Sequence, residues 1–280
     1  FTSTKNKEIT NESSIISRRI RNTNQRGKSF ETKAKKQSSQ HKHLQSINTK
    51  HKKCINLYTQ QAMIDAKEGN TIKCDNFEDY LKHGYYPFSK ERGFDEKLRQ
   101  IINLTLENDI PSFANLPAST GRRLKKLLMV ISKSVPFKPN MSKLAELIDA
   151  NRNMMPDYFQ YIEDAGMITQ LRDNTGGVRG LGKIEKVYLD NANLIYSLAE
   201  GEPNIGNIRE TFFINQTRVR NVVTSSDISD FQIDGRTFEI GGKSKGMKQI
   251  KEANEGYIVK DQIEYSSGNI LPLWWFGLNY

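Results

Sequence analysis

The chain is poor in the residues that several kinds of site require. Its 280 residues include two cysteines, Cys54 and Cys74, which show neither the spacing of a zinc site nor the number of a disulfide framework. No apolar run is long enough to cross a membrane and no secretory signal is visible, so we expect a cytoplasmic protein with no membrane partner. Hydrophobic residues make up only 36% of the chain, which predicts that part of it lies outside any packed core.

Positive charge is concentrated in the N-terminal fifth of the chain. Residues 1–54 contain fourteen Lys and Arg against three acidic residues, a net +11, whereas the other 226 residues contain 28 against 29, a net −1. Residues 1–74 are predicted to form a disordered basic arm, because they cannot bury enough apolar surface to offset the entropy of ordering. Two interpretations stay open. The segment is either a tail that binds nucleic acid or a stretch foreign to the protein, and the start at Phe1 rather than Met favours the second interpretation.

Residues 75–133 show the periodicity of amphipathic helices. A first helix is predicted to end at Gly84, and a second covers about 92–109 with Ile101 on its apolar side. A third covers about 121–133, where apolar residues follow the spacing i, i+3, i+4, i+7. Its opposite face is basic and is a candidate nucleic-acid-binding surface, formed by Arg122, Arg123, Lys125 and Lys126.

Residues 142–190 have the pattern of a winged helix. Two short helices, the first with an expected N-cap at Ser142, precede strands Met167–Leu171 and Lys183–Leu189, and the Gly-rich segment 174–182 is the wing. The second helix carries a net charge of −2, which is unfavourable in a DNA groove, so docking of a protein and contact with DNA both stay open. The wing offers the better nucleic-acid-binding candidates, namely Arg172, Arg179, Lys183 and Lys186.

A hairpin with one polar and one apolar face is predicted near the C-terminus. Asp234-Gly235 is a strong two-residue turn signal, because glycine accepts a positive φ and aspartate tolerates it. Residues whose numbers sum to 469 then face each other, which places Asp230 opposite Glu239. The polar face consists of Asp230, Gln232, Thr237 and Glu239.

Paired carboxylates beside a lysine are what a metal-dependent phosphodiesterase requires, since oxygen ligands hold Mg²⁺ and the lysine stabilises charge on the phosphate. Asp230 and Glu239 are the predicted metal ligands, and Glu210 lies on a helix predicted over about 205–217. For the lysine the candidates are Lys243 and, further on, Lys245. Two interpretations stay open: a catalytic site of Glu210, Asp230, Glu239 and Lys243, or a fold that has lost catalysis and keeps the carboxylates on a solvated strand face.

Several blocks, taken in order, resemble the C-terminal region of bacterial and archaeal AAA-type ATPases, whose members carry a domain of unknown function after the ATPase core. The blocks are the pattern Phe-x-x-Tyr-Leu-x-x-Gly-x-x-Pro within 76–88 and the segments 102–109, 143–168, 206–216, 230–250 and 271–280. The resemblance implies a winged helix followed by a restriction-endonuclease-like domain, with Glu210, Asp230 and Glu239 at the family's acidic positions. Restriction-endonuclease-like cores place a lysine two residues after the glutamate, where this chain has Gly241.

The fold class implied is α+β: a disordered basic N-terminal arm, a helical linker, a winged helix, and an α/β restriction-endonuclease-like domain. The expected boundaries are 1–74 for the arm, 75–120 for the linker, 121–200 for the winged helix and 201–280 for the last domain.

The family's nucleotide-binding core has no counterpart in this chain. The triplet Gly-Lys-Ser at 27–29 ends like a phosphate-binding loop, but Asn22 stands where the loop needs glycine, so no ATP site is expected. The hypothesis is therefore a C-terminal remnant of an AAA-type ATPase that docks nucleic acid or a protein partner and is not catalytic alone. The alternatives are a DNA nuclease dependent on Mg²⁺, and a DNA-binding protein that acts through its winged helix.

Overall fold

The computed structural model describes residues 74–174, 182–246, 248 and 250–278. The predicted disordered arm falls on residues outside this range, except for Cys74, and so do Arg179 of the predicted wing and Met247. Within the described part the fold is mixed α/β, as predicted, with helices packed on one seven-stranded sheet. None of its helices has the length and apolar character needed to cross a membrane.

The helices follow the predicted periodicity closely. The third predicted helix is Ala118–Ser134, and Leu124, Leu127, Leu128 and Ile131 are all buried along its inner face. A π-helical turn, Thr105–Asp109, joins the second helix to a short one. The α-helices are α1 Cys74–His83, α2 Phe94–Leu104, α3 Ile110–Ala114, α4 Ala118–Ser134, α5 Met141–Leu147, α6 Met155–Asp164, α7 Ala192–Leu198 and α8 Ile205–Thr217.

The sheet runs without a break through the two predicted C-terminal domains. Its strands are β1 Ile168–Arg172, β2 Ile184–Leu189, β3 Val223–Ser225, β4 Phe231–Ile233, β5 Arg236–Gly241, β6 Gly256–Lys260 and β7 Ile270–Pro272, in the order β2-β1-β3-β4-β5-β6-β7. The pairs β1–β2, β3–β4 and β4–β5 are antiparallel, and β1–β3, β5–β6 and β6–β7 are parallel. Arg172 pairs with Thr224 where β1 meets β3, so the predicted boundary at 200/201 does not separate two sheets.

Helix α8 packs its aromatic residues on the hairpin strands. The ring of Phe213 lies 5.1 Å from that of Phe231 and 5.5 Å from that of Phe238, centroid to centroid. The C-terminal 3₁₀ segment, Leu273–Leu278, adds Phe276 at 4.7 Å from Phe213. This apolar layer fixes α8 over β4 and β5 and so determines where the polar residues of all three elements lie.

Some local predictions were wrong. Helix α5 begins two residues earlier than expected, because the side chain of Asn140, not Ser142, accepts a hydrogen bond from the backbone N–H of Lys143 and caps the helix. The sequence also predicts a helix over about 244–253 with Met247 and Ile250 inward. The described residues of that segment form turns instead, although Ile250 is buried as expected. Ile101, predicted to face the core, is exposed at the end of α2.

Candidate acidic site

The predicted hairpin is present in the predicted register. Phe231 pairs with Phe238 in the antiparallel ladder between β4 and β5. Asp234 and Gly235 have φ values of 49° and 79°, the two positive values that a tight hairpin turn with right-handed strand twist requires. Because the turn fixes the register, Asp230 comes just before β4 at the level of Glu239 on β5.

The polar side of this hairpin is not a solvated face. Glu239 is only 2% exposed and Thr237 only 5% exposed. The expectation that the carboxylates remain on a solvated strand face is therefore wrong, since helix α8 and strand β2 supply side chains that cover them. A buried carboxylate needs hydrogen bonds or a paired cation, because desolvation otherwise disfavours its charged form.

Two side chains from β2 meet Glu210 and Asp230. Lys186 places Nζ 3.3 Å from Oε2 of Glu210 and 3.5 Å from Oδ1 of Asp230. The phenolic O–H of Tyr188 donates to the same Oε2 of Glu210 at 2.8 Å. Lys186 was predicted to contact nucleic acid from the wing; in the structure it is instead an internal partner of two acidic residues.

Glu239 has its own set of partners. The ammonium of Lys245 pairs with Oε1, and the hydroxyl of Ser229 donates to Oε2 at 2.5 Å. Lys243, the predicted catalytic lysine, is exposed, and its carbonyl oxygen accepts a hydrogen bond from Lys260 at 3.0 Å. The lysine that pairs with Glu239 is therefore Lys245, the further candidate, and not Lys243.

Two glycines explain how a lysine six residues after the glutamate reaches it. A Cβ atom added at Gly241 would lie 2.6 Å from Cγ and 2.7 Å from Cβ of Lys245, so the stem of that lysine crosses the bare backbone. At Gly242 an added Cβ would lie 3.2 Å from Nη1 of Arg209. Arg209 is held by Asp261 at 2.9 Å. The absence of side chains at 241 and 242 lets the chain fold back toward Glu239.

Burial and the repulsion between neighbouring carboxylates raise the pKa values of two acidic residues in the site. The pKa of Glu210 is raised, first by desolvation and then by the charge of Asp230, against the lowering effect of Lys186 and Tyr188. Desolvation also raises the pKa of Asp230, although the backbone N–H of Ile240, which donates to its Oδ2 at 2.9 Å, favours the charged form. Perturbed acidic groups in one place are typical of functional sites.

The residues fit a divalent cation only in part. Three carboxylates face two lysines, which leaves one negative charge in excess when all are ionised. Oxygens of Glu210 and Asp230, on two different elements, already converge on the single cation of Lys186. Mg²⁺ is commonly held by one or two carboxylates together with water and substrate phosphate, but here both carboxylates are already paired with an ammonium. In the described part of the chain, no group of three or more His, Cys, Asp or Glu is arranged to hold a metal ion.

Most of the predicted nucleic-acid-binding residues have partners within the chain. Lys125 pairs with Glu107 and Lys126 with Asp149 on the basic face of α4. On the predicted wing strands, Lys183 lies 3.7 Å from Glu185, while Arg172 donates to the carbonyl of Gly182 and to Gln170. Arg122 is exposed and Arg123 is half-buried.

The contributions of Tyr188 and Ser229 were not predicted from the sequence. Tyr188 follows Lys186 by two residues, and side chains two apart on a strand share a face. That spacing identifies a polar pair on β2 but does not tell which element it faces. Ser229 directly precedes Asp230, and an adjacent hydroxyl is too common a feature to point to a carboxylate ten residues away.

Comparison with known proteins adds one match. A family model described as "Domain of unknown function (DUF8612)" matches residues 74–205. The matched region contains Lys186 and Tyr188 and stops at the first residue of α8, before the three acidic residues. No curated protein and no solved structure matches the chain.

Proposed function

We propose that this chain provides a protein-docking module of an AAA-type ATP-binding protein and is not catalytic alone. The supporting observation is that three distant blocks of the resemblance pack together. Phe77, in the Phe-x-x-Tyr-Leu pattern of α1, places its ring edge on Phe212 of α8 at 4.9 Å. Phe213, on the same helix, places its ring 5.1 Å from that of Phe231 in the hairpin block. Blocks that are far apart in the sequence and pack into one body suit a module that acts as a unit.

The charges of the candidate nucleic-acid-binding residues suit a protein partner better than nucleic acid. Phosphate binding needs cations free to replace the counterions of the nucleic acid. Of the described candidates, Lys125, Lys126, Lys183 and Lys186 are paired with acidic residues. The second helix of the predicted winged helix, α6, carries acidic residues at both ends.

Two exposed apolar side chains on α2 give the partner a place to bind. Leu104, at the end of the helix, is 54% exposed, and Ile101 is 45% exposed. Residues three apart on a helix are neighbours on its surface, so these two side chains form one exposed apolar area. A partner that covers Leu104 would bury apolar surface at this place.

The test is complex formation between the full chain and the ATPase core of an AAA-type protein of the family that it resembles. We expect a stoichiometric complex in sedimentation velocity, weakened by Leu104→Asp and unchanged by Ile205→Asp, which alters an equally exposed apolar residue on α8. No ATP binding by the chain alone is expected in calorimetry. Duplex DNA binding that falls sharply in Arg122→Glu, with no complex formed, would replace this proposal by nucleic-acid docking.

A metal-dependent nuclease is the second candidate, and the convergence of the acidic site favours it. Glu210 and Asp230 would hold a divalent metal ion, which would supply Lewis-acid polarisation of the phosphate and an activated water. Lys245, which pairs with Glu239, would stabilise negative charge on the phosphate. Ser229, by donating to Glu239, holds that carboxylate in position.

Plasmid cleavage with Mn²⁺ tests this candidate. We expect Asp230→Asn and Lys245→Met to abolish cleavage and Lys243→Met to retain it, because Lys243 does not meet the carboxylates. Cleavage that persists in Asp230→Asn rejects the acidic site as its source, and an inactive wild-type chain rejects the nuclease candidate.

A further inference from the structure

Three helices and the π-helical turn enclose a groove that lies apart from the acidic site. It is bounded by α2, α4 and the end of α7, and its volume is about 370 Å³. Its apolar wall consists of Ile102, Leu106 and Leu128, all of them buried. A cleft of this size, lined by apolar side chains together with a few polar groups, is typical of sites that bind small molecules.

The backbone of two elements holds this groove in shape. A Cβ atom added at Gly121 of α4 would lie 2.8 Å from Cα and 2.9 Å from the carbonyl oxygen of Glu107, so α4 lies directly against the backbone of the π-helical turn. Single π-helical turns within helices are frequent at functional sites. Because these two walls are in contact, the groove is already formed before a ligand enters, which lowers the cost of binding.

One polar group of the groove lacks a partner. Ser197, near the end of α7, is only 2% exposed, and its hydroxyl makes no hydrogen bond in the described part of the chain. Buried hydroxyls are nearly always hydrogen-bonded, because an unpaired one loses its contact with water and gains nothing in return. Since Ser197 lines the groove, a ligand bound there would supply the missing partner.

The groove also contains a cation without a counterion, Arg99 on α2. Of the charged residues that line the groove, Lys125 and Glu200 each pair with a residue of opposite charge. Arg99 makes no ion pair with any of the described residues, and its Nε donates to the backbone carbonyl of Ser197 at 3.0 Å. The two terminal nitrogens of its guanidinium are therefore available to a ligand, beside the residue whose hydroxyl lacks a partner.

We infer that this groove binds a small carboxylate with an apolar tail. The planar guanidinium of Arg99 matches a carboxylate in shape and charge, and the hydroxyl of Ser197 donates a further hydrogen bond to it. The tail lies against the apolar wall of the groove. The inference goes beyond the docking proposal and does not depend on it, because Leu104 is not among the residues that line the groove.

Calorimetric titration of the full chain with octanoate tests the inference, with octanol as the uncharged ligand of the same chain length. Arg99→Met removes the guanidinium and keeps an apolar side chain, so octanoate should bind about tenfold more weakly, whereas the affinity for octanol should not change. Arg122→Met is the matched control, since Arg122 is exposed on α4 and does not line the groove. Arg99→Lys keeps the charge but loses the bidentate geometry, so its affinity should lie between those of Arg99→Met and the wild type.

Ser197→Ala distinguishes a binding role from a purely structural one. Removal of a hydroxyl that has no partner should leave the unfolding temperature unchanged or raise it, whereas the affinity for octanoate should fall about fivefold. A lower unfolding temperature with unchanged affinity would overturn the inference.

Three further results would also overturn the inference. They are the absence of octanoate binding by the wild-type chain, an affinity that Arg99→Met leaves unchanged, and an equal loss in Arg122→Met, which would place the ligand elsewhere on the surface. If Arg99→Met fails to fold, as thermal unfolding would reveal, Arg99→Lys makes the same test through its smaller loss of affinity.

Discussion

Two buried ionic clusters join distant parts of this chain, and they differ in charge balance. In the first, Asp190, whose side chain is 3% exposed, pairs with Arg218 after α8. Thr169 on β1 also donates to it at 3.4 Å, and Asn215 donates to the backbone carbonyl of Asp190 at 2.8 Å. The second cluster is the acidic site, where Lys186 and Lys245 face three carboxylates.

The difference separates a structural cluster from a candidate functional one. One carboxylate and one guanidinium cancel in the Asp190 cluster, where Arg218 and Thr169 both donate to Oδ1 of Asp190. In the acidic site three carboxylates face two lysines, so one negative charge is in excess, and lysine side chains are flexible and can reach water. A bound ion or a phosphate-bearing ligand would therefore rearrange the acidic site and leave the Asp190 cluster intact.

Removing the cation from the balanced cluster is expected to have the largest effect. Arg218→Met leaves Asp190 buried and unpaired, which should lower the free energy of unfolding by about 3–5 kcal/mol. Urea unfolding of the full chain measures it. Arg236→Met, which breaks the exposed pair with Glu255, should cost only about 0–1 kcal/mol. Similar losses in both variants would contradict a structural role for the Asp190 cluster.

Removing a donor from the acidic site should cost less, because its lysines can adjust. Ser229→Ala deletes the hydroxyl that donates to Glu239, a hydrogen bond to a charged group, and should lower the free energy of unfolding by about 1.5–3 kcal/mol. The control is Ser226→Ala, since Ser226 only accepts a long bond from the N–H of Ile228 at the surface. If the two variants unfold at the same urea concentration, the hydrogen bond from Ser229 to Glu239 does not stabilise the fold.

The glycine that makes room for Lys245 offers a third comparison. Gly241→Ala puts a methyl group against the stem of Lys245 and should cost about 1–3 kcal/mol while separating this lysine from Glu239. Gly246→Ala, where an added Cβ meets nothing within 4 Å, should be nearly neutral. Equal urea midpoints for the two alanine variants would show that the chain near Gly241 adjusts without strain.

The hairpin could be predicted because its signals are local. Asp234-Gly235 specifies a turn, and alternation of apolar residues specifies which faces point inward, so the register of Phe231 and Phe238 followed. Helix α4 was predicted for the same reason, since apolar spacing within one segment is visible without knowledge of the rest of the chain.

The partners of the acidic residues depend on long-range packing and could not be predicted. Lys186 and Glu210 are 24 residues apart, and they meet only because β1 pairs with β3 and brings β2 to the same sheet. Lys245 rather than Lys243 meets Glu239 because the backbone turns after two glycines, and glycine permits many paths without specifying one. Local sequence patterns therefore identified the acidic residues of the site but not the lysines that pair with them.

The smallest expected effect is a change in the pH dependence of stability. Glu210 has a raised pKa in the folded chain, so the folded state holds its proton more strongly than the unfolded state does. Its contribution to stability is present below the ordinary pKa of 4.5 and is lost as pH rises toward the raised value. In the wild-type protein the free energy of unfolding should therefore decline as pH rises above about 4.5. Glu210→Gln should make this decline smaller, and urea titrations at a series of pH values would detect the difference.

Glu185 provides a control of opposite sign. Its hydrogen bond and ion pair with Lys138 lower its pKa, so its contribution to stability is present above the ordinary pKa and is lost as pH falls. Relative to wild type, Glu185→Gln should become less stable as pH rises, whereas Glu210→Gln should become more stable. Differences of the same sign in the two variants would mean that burial does not govern the protonation of Glu210, and the charge imbalance of the acidic site would then lose its main thermodynamic consequence.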